Sequence, residues 1–326
     1  MTLPLLQVDD LRVWFTLPGE GWFRPAPRVL RAVDGVSFEL SEGETLGIVG
    51  ESGCGKSTLA RGILGLVPVT GGDIRLGRQQ LTGLPREAMR LTRQQIQIVF
   101  QDPLASLDPR MTVREIIAEP LQALRRDLSK KDRNLLVQQM MERVGLLPNQ
   151  INRYPHEFSG GQCQRIGIAR ALIAAPKVLI CDEPVSALDV SIQAQIINLL
   201  MDLQQEMGLS MMFIAHDLSV VRQISHRIVV MYLGKIVEVS DRDSLYRHPR
   251  HPYTKALINA IPIPDPDIER TKQRDHLVGD LPSPLDPPSG CTFRTRCPKA
   301  SGLCAEQVPL AEEKAPGHWV ACHFSS

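Results

Sequence analysis

Short apolar stretches typical of β-strands run from Leu6 to about Phe100. The segments Val8 to Phe15 and Val33 to Leu40 predict two strands. The chain between them, Thr16 to Arg31, is rich in Pro and Gly, which predicts an exposed loop. A further apolar run over 45–49 predicts a short buried strand that leads into a helix. The first third of the chain is therefore expected to be rich in strands.

The pattern changes to helical spacing between Thr112 and Leu147. The apolar positions that recur there are Leu121, Leu124, Leu128, Leu135, Val137, Met140, Met141 and Val144. Strands and helices then alternate again, with strands predicted at Val178 to Cys181 and Ser210 to Ala215 and a hairpin around Gly234. This order predicts an α/β core with a mostly parallel sheet and a helical subdomain inserted over about residues 106–160.

The composition shifts after Tyr246, where prolines interrupt any long helix or central strand. We therefore predict two parts, a core domain over residues 1–245 and a separate, loop-rich C-terminal extension over 246–326. No internal repeat is visible in the chain.

The charge of the chain narrows the class of partner. Lys and Arg number 37 and Asp and Glu 36, so the net charge is +1. This balance offers no broad basic surface for nucleic acid. Apolar runs such as Ile228 to Leu233 are far too short to span a bilayer, and no signal peptide precedes the first strand. We expect a cytosolic protein that reaches a membrane only through partners.

One motif carries explicit chemistry. The stretch from Gly50 to Thr58 fits G-x-x-x-x-G-K-[ST], a turn whose backbone N–H groups surround nucleotide phosphates ahead of a helix N-terminus. Lys56 is expected to contact the β- and γ-phosphates, and the Ser57 hydroxyl to ligate Mg²⁺. The residues predicted to bind nucleotide here are Gly50, Ser52, Gly53, Cys54, Gly55, Lys56, Ser57 and Thr58.

A carboxylate pair ends the predicted strand at residue 181. Folds with a phosphate loop place their Mg²⁺-binding carboxylate at the carboxyl end of such a strand. Asp182 is thus predicted to hold Mg²⁺ through water, and Glu183 to polarise the attacking water. Without the other motifs, two solvated acids at a strand end would explain the pair equally well.

The segment Ser159 to Arg165 reads S-G-G-Q-C-Q-R and lies between these two motifs. In that position it resembles the signature motif of the ABC-type ATPases. The resemblance implies a RecA-like P-loop core with an ABC-type antiparallel β region. It also implies that Ser159, Gly160, Gly161 and Gln162 grip the ATP bound to the phosphate loop of a second subunit.

Other parts of that family's machinery match in order. The resemblance implies that Gln101 contacts Mg²⁺ and senses the membrane subunit, and that Asp189 lies in a loop at the dimer interface. His216 corresponds to the histidine that contacts the γ-phosphate. Phe15 matches the aromatic residue that stacks on adenine, with its neighbour Trp14 as the alternative.

The segment His248 to Leu257 resembles the region that follows the ATPase domain in oligopeptide, dipeptide and nickel importers, and the whole chain is most similar to dipeptide-importer ATPases of the F type. This implies an ATPase at the cytoplasmic face of the cell membrane that energises import of di- or oligopeptides. Its implied partners are two permease subunits, a second related ATPase or a second copy, and a substrate-binding protein. Nickel or another small solute is an alternative cargo. A soluble ABC ATPase acting on ribosomes or DNA, and a P-loop kinase, are alternatives of other classes.

The seven cysteines fall into two groups. Cys54, Cys163 and Cys181 lie within the phosphate-site motifs and are expected to be small buried residues. The others, Cys291, Cys297, Cys304 and Cys322, form a C-x₅-C-x₆-C-x₁₇-C cluster. Four thiolates suit a [4Fe–4S] cluster or one Zn²⁺, with His318 and His323 as further zinc ligands, and the spacing does not choose between them or exclude free thiols. The family resemblance implies the [4Fe–4S] cluster.

Overall fold

The structure is a computed structural model that describes residues 3–18, 27–125, 127–262 and 279–325. Two compact units are interleaved along the sequence. The first unit comprises Met1–Leu5, Leu40–Thr45 and Gly83–Ala215, and the second comprises Leu6–Glu39, Leu46–Thr82 and His216–Ser326.

The elements of the described residues are numbered in chain order. The strands are β1 (Leu6–Leu17), β2 (Arg28–Leu40), β3 (Thr45–Val49), β4 (Gly71–Leu76), β5 (Gln79–Gln80), β6 (Ile96–Val99), β7 (Val178–Asp182), β8 (Ser210–Ala215), β9 (Arg227–Tyr232), β10 (Lys235–Asp241), β11 (Glu312–Ala315) and β12 (His318–Val320). The helices are α1 (Lys56–Ile63), α2 (Arg86–Thr92), α3 (Val113–Leu124), α4 (Lys130–Arg143), α5 (Gly160–Leu172), α6 (Val190–Met207), α7 (Leu218–Ile224), α8 (Arg242–Arg247), α9 (Pro252–Asn259) and α10 (Gly302–Glu306).

The first unit is organised around three parallel strands. β7 pairs with β6 on one side and with β8 on the other, both in parallel register. Every residue of β7 and β8 is buried, which explains why both strands read as continuous apolar runs. Because the strands are parallel, the residues that follow β6 and β7 meet at one edge of the sheet. The predicted parallel arrangement is confirmed for these strands.

The stretch predicted as a helical subdomain is helical in the structure. It contains α3, α4 and two short 3₁₀ turns, Pro148–Gln150 and Pro155–Glu157. α3 starts at a capping box in which Thr112 and Glu115 satisfy each other's backbone N–H groups. α3 packs against α4 and α5 through a buried apolar face that includes Ile116 and Ile117. The proposed limits of about 106–160 stay a prediction.

The second unit contains the remaining strands. β1 lies between β2 and β4, and β4 pairs antiparallel with both β1 and β5. Elsewhere in this unit β3 pairs parallel with β9, which forms the predicted antiparallel hairpin with β10. The loop predicted over 16–31 is shorter than expected, since β1 continues to Leu17 and β2 already begins at Arg28. Residues 19–26 of that loop lie outside the described residues.

The C-terminal extension is more regular than its prolines suggested. Its last hairpin, β11 and β12, is antiparallel, and β12 pairs antiparallel with β10. The extension also contains α9 and α10, and it belongs to the same compact unit as β9 and β10. Pro309 precedes the terminal hairpin, and Pro316 lies in the turn between its two strands. None of the helices described is both long and apolar enough to cross a bilayer.

Candidate functional site

The predicted phosphate loop is a glycine turn between the buried strand β3 and helix α1. Gly55 caps α1 with φ +105°, and a Cβ at this position would lie 2.1 Å from the carbonyl oxygen of Ala32. Gly50 has φ +157°, and its Cβ would lie 2.3 Å from the carbonyl oxygen of Met231. Both positions thus exclude any other residue by conformation and by space. The turn has the form that lets backbone N–H groups face an anion.

Lys56 points back into this turn. Its side chain is almost fully buried, and Nζ donates hydrogen bonds to the carbonyl oxygens of Gly50 at 2.7 Å and Glu51 at 3.0 Å. Ser57 and Thr58 follow in the first turn of α1. The ammonium group therefore lies within the loop, at the position where the motif requires a cation for the phosphates.

The three cysteines of the nucleotide motifs are buried, as predicted. Burial raises the pKa of the Cys54 thiol, although Lys56 opposes the shift. Cys54 Sγ lies 3.8 Å from Lys56 Nζ, so a neutral thiol fills the space beneath the loop. Burial likewise raises the pKa values of Cys163 and Cys181. These residues act as small core side chains.

The first unit brings Glu183 and Gln101 together. Gln101 follows β6 and Glu183 follows β7, and the Gln101 side-chain amide donates to Glu183 Oε2 across 3.1 Å. Glu183 has φ +46°, a left-handed conformation that is unfavourable for glutamate. Its N–H donates to the Ile214 carbonyl at 3.0 Å, which ties this strained residue to β8. Asp182, the last residue of β7, is 2% exposed.

The predicted signature motif forms the exposed start of α5. Ser159 caps the helix, its hydroxyl accepting the Gln162 N–H while Gln162 Oε1 accepts the Ser159 N–H. A Cβ on Gly161 would lie 2.5 Å from Ile192 Cγ2, so only glycine fits against α6. Gly160 is exposed at the first helical position. The structure gives Ser159 and Gln162 a capping role that the anion-cradle interpretation missed, although the S-x-x-Q pattern contains it.

Three further predicted residues lie as follows. Asp189 is exposed and precedes the first residue of α6. His216 is exposed, directly follows β8 and belongs to the second unit. In β1, Phe15 and Trp14 are both half-buried, but the Trp14 indole N–H donates to Asp34 and the Arg31 guanidinium lies 4.9 Å from the indole ring centre. Trp14 is therefore already engaged by polar neighbours.

The extension contributes a tyrosine to the phosphate loop. The Glu51 N–H donates to the Tyr253 hydroxyl across 2.8 Å. Tyr253 is held in turn by His251, whose ring Nδ1 accepts the Tyr253 backbone N–H. The backbone N–H of His251 donates to the buried carboxylate of Glu238. His318 of β12 contacts the same carboxylate at 2.7 Å. The His-Pro-Tyr segment thus supports the loop physically, which its sequence alone did not indicate.

The four C-terminal cysteines belong to the second unit and form no disulfide. The Cys291 N–H donates to the Cys304 carbonyl at 2.8 Å, and burial, aided by the charges of the other three thiols, raises the pKa of Cys291 to about 11. Within the described part of the chain, no three His, Cys, Asp or Glu side chains form a group that could hold a metal ion. The predicted metal site is therefore not supported by the arrangement of these side chains.

Comparison with known proteins adds independent information. The profile of the ABC transporter family matches residues 33–186, and that of the oligopeptide/dipeptide transporter C-terminal region matches residues 237–304. The oligopeptide transport ATP-binding protein OppF of Salmonella typhimurium is 60% identical over 319 residues, which cover 98% of this chain and 95% of that protein. The oligopeptide transport ATP-binding protein AppF of Bacillus subtilis is 51% identical over 323 residues, which cover 99% and 98% of the two chains.

Solved structures agree with this relationship. An ATP-binding cassette determined as a dimer in a post-hydrolysis state with ADP and Pi is 28% identical, with a TM-score of 0.63 over 73% of this chain and 98% of that chain. Protein cbiO1 of Clostridium perfringens, part of an ABC transporter complex, is 26% identical, with a TM-score of 0.63 over 75% and 91%. The predicted ABC-type fold, an α/β P-loop NTPase with antiparallel and helical regions, is confirmed. The chain belongs to the ABC transporter family and carries the C-terminal region of its oligopeptide/dipeptide members.

Proposed function

We propose that this chain is the ATP-binding, ATP-hydrolysing subunit of an ABC importer for oligopeptides. The observation that carries the proposal is the occurrence, in one chain, of both matched regions together with relatives named for oligopeptide transport that align over nearly their whole length. The relatives are named for oligopeptides, which favours peptides over nickel as cargo. Dipeptides, the shortest such cargo, are included in this proposal.

The phosphate loop is proposed to bind ATP. Its N–H groups and the positive end of α1 would face the phosphates, and Lys56 would exchange its two carbonyl acceptors for phosphate oxygens. Such an exchange requires only rotation of a lysine side chain that is already in place. Phe15 is proposed to stack on the adenine, since Trp14 is engaged by Asp34 and Arg31.

The donor set proposed for Mg²⁺ suits that ion. The Ser57 hydroxyl, the Gln101 amide and the Asp182 carboxylate all offer oxygen, the ligand that Mg²⁺ prefers. The side-chain amide nitrogen of Gln101 donates to Glu183, so the amide oxygen of Gln101 is the atom that would bind Mg²⁺. When bound, Mg²⁺ would neutralise charge that develops on the phosphates during transfer.

Glu183 is proposed as the residue that orients and polarises the attacking water. Its carboxylate is fixed by Gln101, and its backbone is fixed by the Ile214 carbonyl. Phosphoryl transfer depends on positioning and charge stabilisation, so a glutamate held through both its side chain and its backbone is well suited to this role. His216 is proposed to contact the γ-phosphate.

The exposed start of α5 is proposed to grip ATP on a second cassette. The Ser159 hydroxyl accepts the Gln162 N–H in the capping box, and the N–H groups of Gly160 and Gly161 would face the phosphates of that ATP. Asp189 would lie at the same interface. The second cassette is proposed to be a related ATPase. A homodimer is also feasible, because this chain carries a complete set of motifs.

The complex is proposed to lie at the cytoplasmic face of the cell membrane. Two permease subunits would dock on the Gln101 region and the helices around α3, and a substrate-binding protein would deliver the peptide.

Capture of tagged Glu183→Gln protein with ATP from detergent-solubilised native membranes tests this proposed assembly. Co-purification of two polytopic proteins and a second ATPase supports the importer. Recovery of ribosomal or DNA-repair proteins without membrane proteins contradicts it.

We also propose that Cys291, Cys297, Cys304 and Cys322 ligate a [4Fe–4S] cluster. The support is that the charges of the other three thiols help to raise the pKa of Cys291 and that none of the four is used in a disulfide. The four thiolates would supply the ligands that such a cluster takes, and Zn²⁺ is the alternative for the same donors. An anaerobic preparation should be brown and contain iron. A colourless, iron-free preparation contradicts the proposal, and zinc in it identifies the alternative.

A further inference from the structure

A partly buried ion pair links the C-terminal extension to the phosphate loop. Arg296 Nη1 and Nη2 donate to the two carboxylate oxygens of Glu51, at 2.6 and 3.0 Å. The side chains are 6% and 28% exposed, and the two residues are 245 positions apart in the chain. A bidentate contact of this kind fixes direction as well as distance. The extension therefore contacts the loop through a geometrically defined charge pair.

Glu51 is held at each of its polar groups. Its carboxylate binds Arg296, its N–H donates to the Tyr253 hydroxyl, and its carbonyl accepts from Lys56 Nζ. Two of these three partners come from the extension. The residue immediately after Gly50 thus has its position set by a part of the chain outside the phosphate motif.

Arg296 is held in place by an aromatic cluster of Phe293, Tyr232 and Tyr253. Its N–H donates to the Phe293 carbonyl at 3.0 Å, and the Phe293 ring packs against Tyr232 and Tyr253 with ring centres 5.2 and 5.4 Å apart. The guanidinium carbon lies 6.0 Å from the Tyr232 ring centre. These contacts restrict the arginine before it meets Glu51, which reduces the conformational entropy that the ion pair must overcome.

The charge of Glu51 makes this contact relevant to nucleotide. Its carboxylate stands in a loop that is proposed to receive polyphosphate, and an unpaired negative charge there would oppose binding. The Arg296 guanidinium is charged at every physiological pH, because arginine is not deprotonated in proteins. The positive charge of Arg296 offsets the carboxylate without occupying the loop.

We infer that Arg296 is a positioning residue for the phosphate loop: by holding and neutralising Glu51, it gives the C-terminal extension control over the affinity of the loop for nucleotide. The inference rests on the proposed role of the loop in ATP binding. It assigns to the extension a task at the nucleotide site in addition to any role in transporter assembly.

Calorimetric titration of the purified full-length chain with MgATP tests the inference. The Arg296→Met variant should bind about tenfold more weakly than the parent chain, equivalent to ~1.4 kcal/mol. Arg294→Met is the matched control, because the described hydrogen bonds of the Arg294 side chain go to Ser289, within the extension. Its affinity for MgATP should equal that of the parent. Thermal unfolding of each variant shows whether it is folded.

The dependence on charge separates the inference from a general loss of stability. Adding Glu51→Gln to Arg296→Met removes the unpaired carboxylate and should recover most of the lost affinity for MgATP. Arg296→Lys keeps the positive charge but loses the bidentate contact, so its affinity should lie between those of the parent and Arg296→Met. Arg296→Met with parental affinity, or a double variant as weak as the single one, overturns the inference. If instead Lys56→Ala binds MgATP like the parent, the proposed role of the loop itself fails.

Discussion

The side-chain amide of Gln101 donates a hydrogen bond to Glu183 Oε2 across 3.1 Å, joining residues that are 82 positions apart. The two follow neighbouring parallel strands, β6 and β7, whose register pairs Val99 with Cys181. Glu183 adopts φ +46°, a conformation that costs a non-glycine residue about 1–3 kcal/mol. The backbone strain at Glu183 and the hydrogen bond from Gln101 together fix the position of its carboxylate, as the proposed water-positioning role would need.

Replacing Glu183 with Gln should leave MgATP binding intact and lower turnover by about 10²–10⁴-fold, because the amide cannot polarise water as a carboxylate does. Hydrolysis is measured in the assembled transporter, and binding is measured by titration. Glu206→Gln is the matched control, since Glu206 is an exposed glutamate of the same unit that pairs with Arg143. Parental turnover in Glu183→Gln would show that another group positions the water.

Removing the side-chain amide of Gln101 should lower activity by releasing the carboxylate of Glu183 from its position. We expect Gln101→Ala to lower kcat by roughly ten- to a hundredfold, since small misplacements of a catalytic group are costly. The Michaelis constant for ATP should change less than kcat. Gln97→Ala is the control, because the Gln97 side-chain amide donates to the backbone carbonyl of Arg93 and not to Glu183. Equal losses in both variants would contradict a role specific to Gln101.

Two glycines of α5 should respond to alanine in opposite ways. A Cβ at Gly161 would meet Ile192 Cγ2 at 2.5 Å, whereas a Cβ at Gly167 meets nothing within 4 Å. Gly161→Ala should destabilise by about 1–3 kcal/mol through overpacking, and Gly167→Ala should stabilise by about 0.5–1 kcal/mol. Urea denaturation measures both. Adding Ile192→Ala to Gly161→Ala should remove the clash and recover part of the lost free energy of unfolding. A double variant no more stable than Gly161→Ala would show that the loss has another cause.

The buried His251 should make stability depend on pH. Burial lowers the pKa of His251 to about 4 from 6.5, although Glu238 opposes the shift. Between these values the unfolded chain binds a proton and the folded chain does not, so stability falls as pH decreases from 6.5 towards 4. From pH 7 to pH 5 this residue should account for a loss of about 2 kcal/mol in the free energy of unfolding.

His251→Asn tests that dependence without removing the helix cap. The ring Nδ1 accepts the Tyr253 N–H at the start of α9, and an asparagine oxygen can do the same. Asparagine does not titrate, so the loss between pH 7 and pH 5 should shrink by the stated amount in urea denaturation. The control His156→Asn alters an exposed histidine of the other unit. An unchanged loss in His251→Asn would show that other groups cause it.

The sequence predicted those parts of the site that local spacing encodes. Gly50 to Thr58 are consecutive, and the acids at Asp182 and Glu183 directly follow an apolar strand, so both motifs follow from short-range pattern. The left-handed backbone of Glu183 and its bond to Gln101 depend on strand pairing, which the sequence does not state.

The extension shows the opposite case. Its prolines predicted breaks in helices and no central strand, yet β12 pairs with both β10 and β11. The contact between Arg296 and Glu51 spans 245 positions, and no periodicity links them. Only packing of Phe293 against the aromatic side chains of Tyr232 and Tyr253 brings the arginine to the loop. Contacts of this kind arise from tertiary packing and lie beyond pattern analysis.

The most direct test of the account is peptide uptake into proteoliposomes that contain this chain with its membrane subunits and second ATPase, supplied with the substrate-binding protein and internal MgATP. The account predicts that oligopeptide accumulates, that the peptide-loaded binding protein stimulates ATP hydrolysis, and that Glu183→Gln abolishes both. Peptide-independent hydrolysis without uptake, or uptake that persists in Glu183→Gln complexes, would contradict it.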